Sequence, residues 1–370
     1  MSARFLTVVL ERAFNMRDGF GREIDYMRIS VIDSCNLNCY YCNPCDNNEH
    51  CHALNILSVK EVLCIVRAAT RLGITHFRLT GGEPLLHPQL DEMVLQIKKI
   101  PGVSSVSLTT NAVLLVQHAK WLKEAGIDSI NVSLDTIDAS EYERITKKPL
   151  LEEVKHGINA AIECGIRVKI NVVLTPQTDV VALTRYVAKK GTDIRFIEMM
   201  PVGEGHTNGV EPYKKVIGTL SKLYGEPCRI NTEKTKEIHS GNDKRKIPDN
   251  GPAEYYIFPE LGIRVGLIQA IHGKFCDTCN RIRVTADGRL MPCLGSSVTM
   301  DLVPDSWDFA DDVEKDFAIV RALRAAIKAK PRCHNFNDNA VTYTKTTETK
   351  TTEIEAAEVN AARNMSRIGG

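Results

Sequence analysis

The sequence predicts an α/β protein: six β/α units forming either a partial barrel or an open sheet, followed by a smaller C-terminal α+β domain. Three observations carry this expectation. Short β-branched runs alternate with helix-periodic segments from about residue 26 to residue 200. The six runs read as apolar on both faces, as parallel strands covered by helices are. Beyond about Lys222 the alternation stops, which places the expected domain boundary between 1–222 and 223–370.

Each element has a local reason. MRISVI (27–32) is the first strand, and a long polar loop follows it. Ser58 and Glu61 form a capping box that opens a helix over 59–72, whose apolar residues recur at i, i+3 and i+4 until Gly73 closes it. HFRLT (76–80) and VSSVSLTT (103–110) are the second and third strands, and WLKEAG (121–126) ends another helix. SINVSLD (129–135), RVKINVVL (167–174) and DIRFIEMM (193–200) complete the six. In the C-terminal section YYIF (255–258), IRVGLIQA (263–270) and the pair RIRVT and RLMPCL around Asp287-Gly288 predict antiparallel strands and a hairpin. The Thr-rich stretch 341–356 predicts a surface-hugging or mobile segment, and no tandem repeat exists beyond the β/α alternation itself.

Composition excludes several classes. With 370 residues, 43% hydrophobic and 25% charged, the chain has ample core for one large or two ordinary domains and is neither disordered nor fibrous. A net charge of +1 gives no general attraction to nucleic acid or membrane, so anion binding has to come from a local cluster. The apolar run FLTVVL ends at Glu11 and Arg12, short of the roughly 7–15 residues of a signal peptide core. No run approaches the ~18 apolar residues of a membrane span. The expectation is a soluble, cytoplasmic chain, in which twelve cysteines serve as metal ligands or buried thiols rather than disulfides.

Two thiol groups stand out. CNLNCYYCNPC (35–45) follows the first strand, at the sheet end where ligands sit in such folds. Cys35, Cys39 and Cys42, spaced C-x3-C-x2-C, can hold three irons of a [4Fe-4S] cluster and leave the fourth open. Zinc completed by Cys45, His50, Cys51 or His52 is the alternative, and Cys45 on the fourth iron leaves a simple electron carrier. The second group, Cys276, Cys279 and Cys293, admits a zinc ribbon completed by His272, Cys228 or Cys333. Arg281 and Arg283 follow it on one face of a strand, where guanidinium forks suit an anionic ligand.

Gly81-Gly82-Glu83-Pro84 at the end of the second strand, together with the C-x3-C-x-Tyr41-Cys42 loop, resembles the radical S-adenosylmethionine (SAM) enzymes. Longer stretches sharpen this: GREIDYMRISVIDSCNLNCYYCNP, FRLTGGEP, SLTTN, INVSLD, VKINVV, IRFIEMMPVG, FCDTCNRIR, DGRLMPCL and the terminal MSRIGG, in order from Gly21 to Gly370, resemble the GTP 3',8-cyclase family of molybdenum cofactor biosynthesis.

The resemblance implies a partial (β/α)6 barrel of the radical SAM type, two [4Fe-4S] clusters and S-adenosyl-L-methionine. It implies a lyase reaction in which a 5'-deoxyadenosyl radical takes hydrogen from ribose C3' of GTP and a bond to guanine C8 closes a ring. Cys35, Cys39 and Cys42 then hold the SAM cluster, and Cys276, Cys279 and Cys293 hold a substrate cluster. Tyr41, Gly82, Ser133, Arg195 and Met200 fall at SAM-contacting positions. Arg28, Arg78, Thr109, Lys169, Arg281 and Arg283 fall at GTP-contacting positions, and Arg28, Arg281, Arg283, Gly369 and Gly370 carry catalytic roles. The implied partners are GTP, an external one-electron reductant of the flavodoxin or ferredoxin type and a downstream pterin synthase step, with neither nucleic acid nor membrane, for a monomer or homodimer.

Ser34 and Ala112 depart from the family's usual Arg and Gly, removing one positive charge near the first cluster and altering a turn near the pocket. A peptide-modifying radical SAM enzyme with an auxiliary cluster is the alternative reading. Cys64 and Cys164 read as core thiols, Trp121 and Trp307 as core or interface residues, and KRK (244–246) as a solvated charge run.

Overall fold

A mixed sheet of twelve strands organises the computed structural model, which describes residues 16–42, 55–202, 210–230, 251–296, 298–302, 312–334 and 336. At its centre β1 Tyr26–Ser30, β2 His76–Thr80, β3 Ser105–Thr110, β4 Ser129–Ser133, β5 Arg167–Val173 and β6 Asp193–Ile197 pair in parallel, in chain order. The connections are helical: α1 Val59–Arg71, α2 Leu90–Lys98, α3 Leu115–Glu124, α4 Ala139–Thr146, α5 Leu151–Glu163 and α6 Val180–Lys189. These are the six β/α units the alternation predicts. The capping box is formed: Ser58 Oγ accepts from Glu61 N at 3.3 Å and Glu61 Oε2 accepts from Ser58 N at 2.6 Å. From that start α1 turns Val62, Ile65, Val66 and Ala69 into the core. Each large apolar side chain so buried contributes about 1.5–3 kcal/mol.

After α7 Gly218–Tyr224 come β7 Cys228–Ile230, β8 Glu254–Ile257, β9 Arg264–Ile268, β10 Arg281–Val284, β11 Arg289–Met291, β12 Met300–Asp301 and α8 Asp312–Lys328. The antiparallel pairs expected here are present. In addition β9 pairs in parallel with β6, and β10 in parallel with β1. The strands of 223–370 therefore flank the six on both sides, in the order β12-β11-β10-β1-β2-β3-β4-β5-β6-β9-β8-β7, and the sheet has two edges rather than closing. Hairpins are local signals, whereas these parallel joins link residues far apart in sequence and leave no local pattern.

One expectation is corrected. The six strands are not apolar on both faces: they alternate. Met27 and Ile29, Phe77 and Leu79, Val106 and Leu108, Ile130 and Val132 are fully buried beneath the helices. Their neighbours Tyr26, Arg28, His76, Arg78, Ser107 and Asn131 line a cavity instead. Because strand side chains alternate with period two, a largely polar inner face is compatible with an apolar outer one. Cys64 is buried in α1 and Cys164 packs partly buried against the same core, as expected. Trp121 is 60% exposed and is not a core residue. Cys45, His50, Cys51, His52, KRK (244–246), Trp307, the stretch 341–356, Gly369 and Gly370 lie outside the described residues.

Candidate active site

The loop after β1 and the turn after β2 are built against each other. Gly82 N donates to Ile32 O at 2.8 Å and Glu83 N donates to Ser34 O at 2.7 Å, and a Cβ on Gly82 would stand 2.1 Å from Ser34 O. Only glycine permits that approach. Glu83 is fully buried and locks the end of β3, accepting from Thr110 Oγ1 at 2.7 Å, Asn111 N at 2.7 Å and Leu85 N at 3.0 Å. Burial pushes its carboxyl up to about 7 against those three hydrogen bonds. Asn111 in turn donates to Asn36 Oδ1 at 2.7 Å, inside the thiol loop. Ser34 contributes through its backbone, so the loss of the family's usual Arg leaves this join intact.

Cys35, Cys39 and Cys42 sit on that loop, with Cys42 N donating to Cys39 O at 2.9 Å. Burial pushes the Cys35 thiol up to about 11, and burial, then Cys42, pushes Cys39 well above the usual range. Left alone these thiols stay protonated at neutral pH; a bound metal centre is what supplies the positive charge that makes thiolates of them. Tyr41 OH donates to Asp135, whose other oxygen accepts from Val173 N at 2.8 Å. Burial pushes Asp135 up to about 6, opposed by these two bonds.

The second thiol group is held from four directions. Arg22 Nη1 donates to Cys276 O at 2.7 Å and to Arg332 O at 2.9 Å, while Asp18 anchors its Nε at 2.6 Å. Lys330 Nζ donates to Arg281 O and Pro292 O, both at 2.8 Å. Glu198 accepts from Ile271 N at 2.7 Å and His272 N at 3.1 Å and also binds the His272 ring. His334 bonds Ala270 O at 2.7 Å. Burial raises the Cys279 thiol, but Lys330 and Arg281 outweigh it and the net direction is down. His272, Cys228 and Cys333, the candidates for completing a zinc ribbon, do not line the cavity. Among the described residues no three such side chains converge on one point as a single metal ion requires. A four-iron cluster takes one thiolate per iron, so its ligands stand apart.

All six cysteines face one cavity of about 740 Å³. Tyr41, Gly82, Ser133, Arg195 and Met200 line it, as do Arg28, Arg78, Thr109, Lys169, Arg281 and Arg283. Every site residue expected from sequence within the described residues is thus brought to one place. Arg28 lies opposite Arg283 in β10 and Arg78 in β2. Burial, then Arg283 and Arg78, hold the Arg28 guanidinium well below its ordinary range, and burial with Arg281 brings Arg283 down to about 10. Such a cationic wall calls for a multiply charged anion. Arg78 Nε, Thr109 Oγ1 and Arg195 Nη2 are buried in it without a hydrogen-bond partner among the described residues. The residues present therefore fit a polyanionic nucleotide between two metal clusters. Sequence reasoning missed Arg22, Lys330, Glu198 and Tyr26; Tyr26 stacks under the guanidiniums of Arg78 at 5.8 Å and Arg281 at 5.5 Å. Arg22 reaches carbonyls 254 and 310 positions along the chain, a distance no motif spans.

Ala112 is buried with φ +66, a left-handed backbone that favours glycine, and its carbonyl presses within 2.3 Å of where a Cβ on Gly157 would be. The left-handed region costs a non-glycine residue about 1–2 kcal/mol. Ala112→Gly is expected to raise the thermal midpoint by about 2 °C, net of the flexibility glycine adds to the unfolded chain. Calorimetry on both proteins checks this, and a lowered midpoint rules it out.

A parallel six-strand sheet with a C-x3-C-x2-C loop on its first strand and a Gly-Gly-Glu-Pro turn on its second defines a radical SAM protein. Residues 29–182 match the model of the Radical SAM superfamily and residues 192–336 that of Molybdenum Cofactor Synthesis C. Over 324 residues the chain is 35% identical to the GTP 3',8-cyclase of Clostridium perfringens (strain SM101 / Type A), covering 87% of this chain and 95% of that one. Over 328 residues it is 37% identical to the GTP 3',8-cyclase of Peptoclostridium acidaminophilum, covering 87% and 94%. The chain belongs to the GTP 3',8-cyclase family. Among solved structures it is similar to Streptococcus suis SuiB bound to S-adenosylmethionine, with a TM-score of 0.54 at 15% identity over 82% of this chain and 68% of that one. That likeness is one of fold.

Proposed function

We propose that this chain cyclises GTP to (8S)-3',8-cyclo-7,8-dihydroguanosine 5'-triphosphate, the first step of molybdenum cofactor (molybdopterin) biosynthesis, as a carbon–carbon bond-forming lyase. The observation that carries the reading is the single cavity into which two three-thiol groups and a cationic wall open together. Cys35, Cys39 and Cys42 hold one [4Fe-4S] cluster and Cys276, Cys279 and Cys293 the other, each group one thiolate short of closing its cluster. When bound, the clusters and SAM would supply the one-electron chemistry that hydrogen removal from ribose C3' requires, each cluster with an iron that its three cysteines leave open.

The chain's own residues do the positioning. Arg28, Arg78, Lys169, Arg281 and Arg283 give the triphosphate charge-assisted donors, and Thr109 adds a hydroxyl. Tyr41, Gly82, Ser133, Arg195 and Met200 line the SAM side of the cavity. The helix-covered sheet excludes water and stray hydrogen donors while the reacting carbons are held together. An inner face with this density of cations suits a triphosphate better than a peptide. Gly369 and Gly370, which lie outside the described residues, keep the catalytic role the resemblance assigns them.

The division into 1–222 and 223–370 is one of function: the first segment serves SAM and part of the GTP site, and the second carries the substrate cluster. A one-electron reductant of the flavodoxin or ferredoxin type feeds the site, and a pterin synthase step consumes its product. No helix among the described residues is long and apolar enough to cross a membrane, and the reading places the enzyme in the cytoplasm. Incubating anaerobically reconstituted protein, carrying about eight irons, with SAM, GTP and a reductant should give 5'-deoxyadenosine and the cyclised nucleotide in step. 5'-Deoxyadenosine formed without regard to GTP, with no cyclised product, overturns the cyclase reading.

A further inference from the structure

The last turn of α8 brings Lys330 to the second thiol group. Lys330 lies just past the end of α8, where its N donates to Ile327 O at 3.3 Å, and Pro331 follows it. The side chain turns inward and is 3% exposed, although lysine is almost never fully buried unless paired. No carboxylate pairs with it among the described residues. Its ammonium donates to the carbonyls of Arg281, two residues after Cys279, and Pro292, one residue before Cys293, both at 2.8 Å. An ammonium has three donors, and each of these two carbonyls belongs to a segment whose thiol lines the cavity. The side chain also lines the shared cavity. A buried cation needs a counter-charge, and the thiolates that a bound cluster would make of Cys279 and Cys293 would supply it.

We infer that Lys330 is a positioning residue for the second cluster: its ammonium ties the backbone after Cys279 to the backbone before Cys293 and sets a buried positive charge against their thiolates. The inference rests on the reading that Cys276, Cys279 and Cys293 hold a cluster. It has two separable consequences. The tie pre-organises two segments that lie on different strands, so the three thiols start near their final places. The charge favours the more negative, reduced form of whatever iron–sulfur group they hold, so removing it makes that group harder to reduce by one electron.

The test uses full-length protein in which Cys35, Cys39 and Cys42 are all alanine, leaving only the second group. Iron is counted and the cluster is titrated potentiometrically under anaerobic conditions, with electron paramagnetic resonance as the readout. The parent should carry about four irons; finding none overturns the cluster reading itself, before any lysine variant is made, and this inference with it. Lys330→Met should shift the midpoint negative by a tenfold or greater change in the reduced-to-oxidised ratio, about 59 mV for one electron. Lys330→Arg, which keeps the charge, should stay within threefold of the parent. If Lys330→Met loses its iron, Lys330→Gln, a neutral donor to the same carbonyls, decides by the same titration. A neutral variant with full iron and the parent's midpoint overturns the inference, because a tie without an electrostatic part leaves the potential where it was.

Discussion

Gly82→Ala is expected to abolish reductive cleavage of SAM, lowering 5'-deoxyadenosine formation by about three orders of magnitude or more. The reason is steric and local. The added Cβ would lie 2.1 Å from Ser34 O, 2.5 Å from Ser34 C and 2.6 Å from Asp33 O. These are backbone atoms of the loop that runs directly into Cys35, so relief requires the loop or the strand end to move. Either movement breaks the hydrogen bonds from Gly82 N to Ile32 O and from Glu83 N to Ser34 O. A misplacement of about 1 Å costs on the order of 10²-fold in a positioned reaction, and here both the first thiol and the turn facing it are displaced. Iron should fall by about four per chain, the share of one [4Fe-4S] cluster. Gly218→Ala is the control: nothing lies within 4 Å of its added Cβ and it sits in α7. SAM cleavage by Gly82→Ala within threefold of the parent would sink the argument that this close approach places the loop.

How much of this was readable in advance depends on how local each signal is. Both cysteine triads are short-range patterns, and so are the capping box at Ser58, the Gly-Gly turn and the six β/α units; each was legible, and each stands where it was expected among the described residues. The inner face of the partial barrel was misread because residues such as Ser107, Thr109 and Asn131 interrupt the apolar runs too mildly to mark a polar surface, and only the family resemblance put Arg28 and Arg78 together. In the folded sheet the register sets Arg28 between Arg78 and Arg283. The braces of the second group were illegible for another reason. Arg22, Glu198 and Lys330 bond backbone atoms, and carbonyls and amides carry no sequence signature. Lys330 finds its partners 49 and 38 positions back along the chain. The same holds for the parallel joins of β9 to β6 and β10 to β1, which make one sheet of what reads as two units.

Arg28→Met should have effects of opposite sign on function and on stability. Arg28 faces Arg283 and Arg78 across its two neighbouring strands, and burial followed by their charges disfavours its charged form. Clustering cations costs folding free energy; replacing a buried charge with a well-packed apolar side chain of similar length returns about 1–4 kcal/mol. The ligand-free variant should therefore melt about 2 °C or more above the parent. Function moves the other way, since one charge-assisted hydrogen bond to a phosphate is worth about 1.5–3 kcal/mol, and losing it with its alignment should lower kcat/KM for GTP by about 10²-fold. Inorganic triphosphate separates the causes without chemistry. It should raise the melting temperature of the parent more than that of Arg28→Met, because a ligand stabilises only in proportion to its affinity for the folded form. A variant that melts lower than the parent and keeps its KM for GTP would make Arg28 a structural cation, and the cationic wall would then need another occupant.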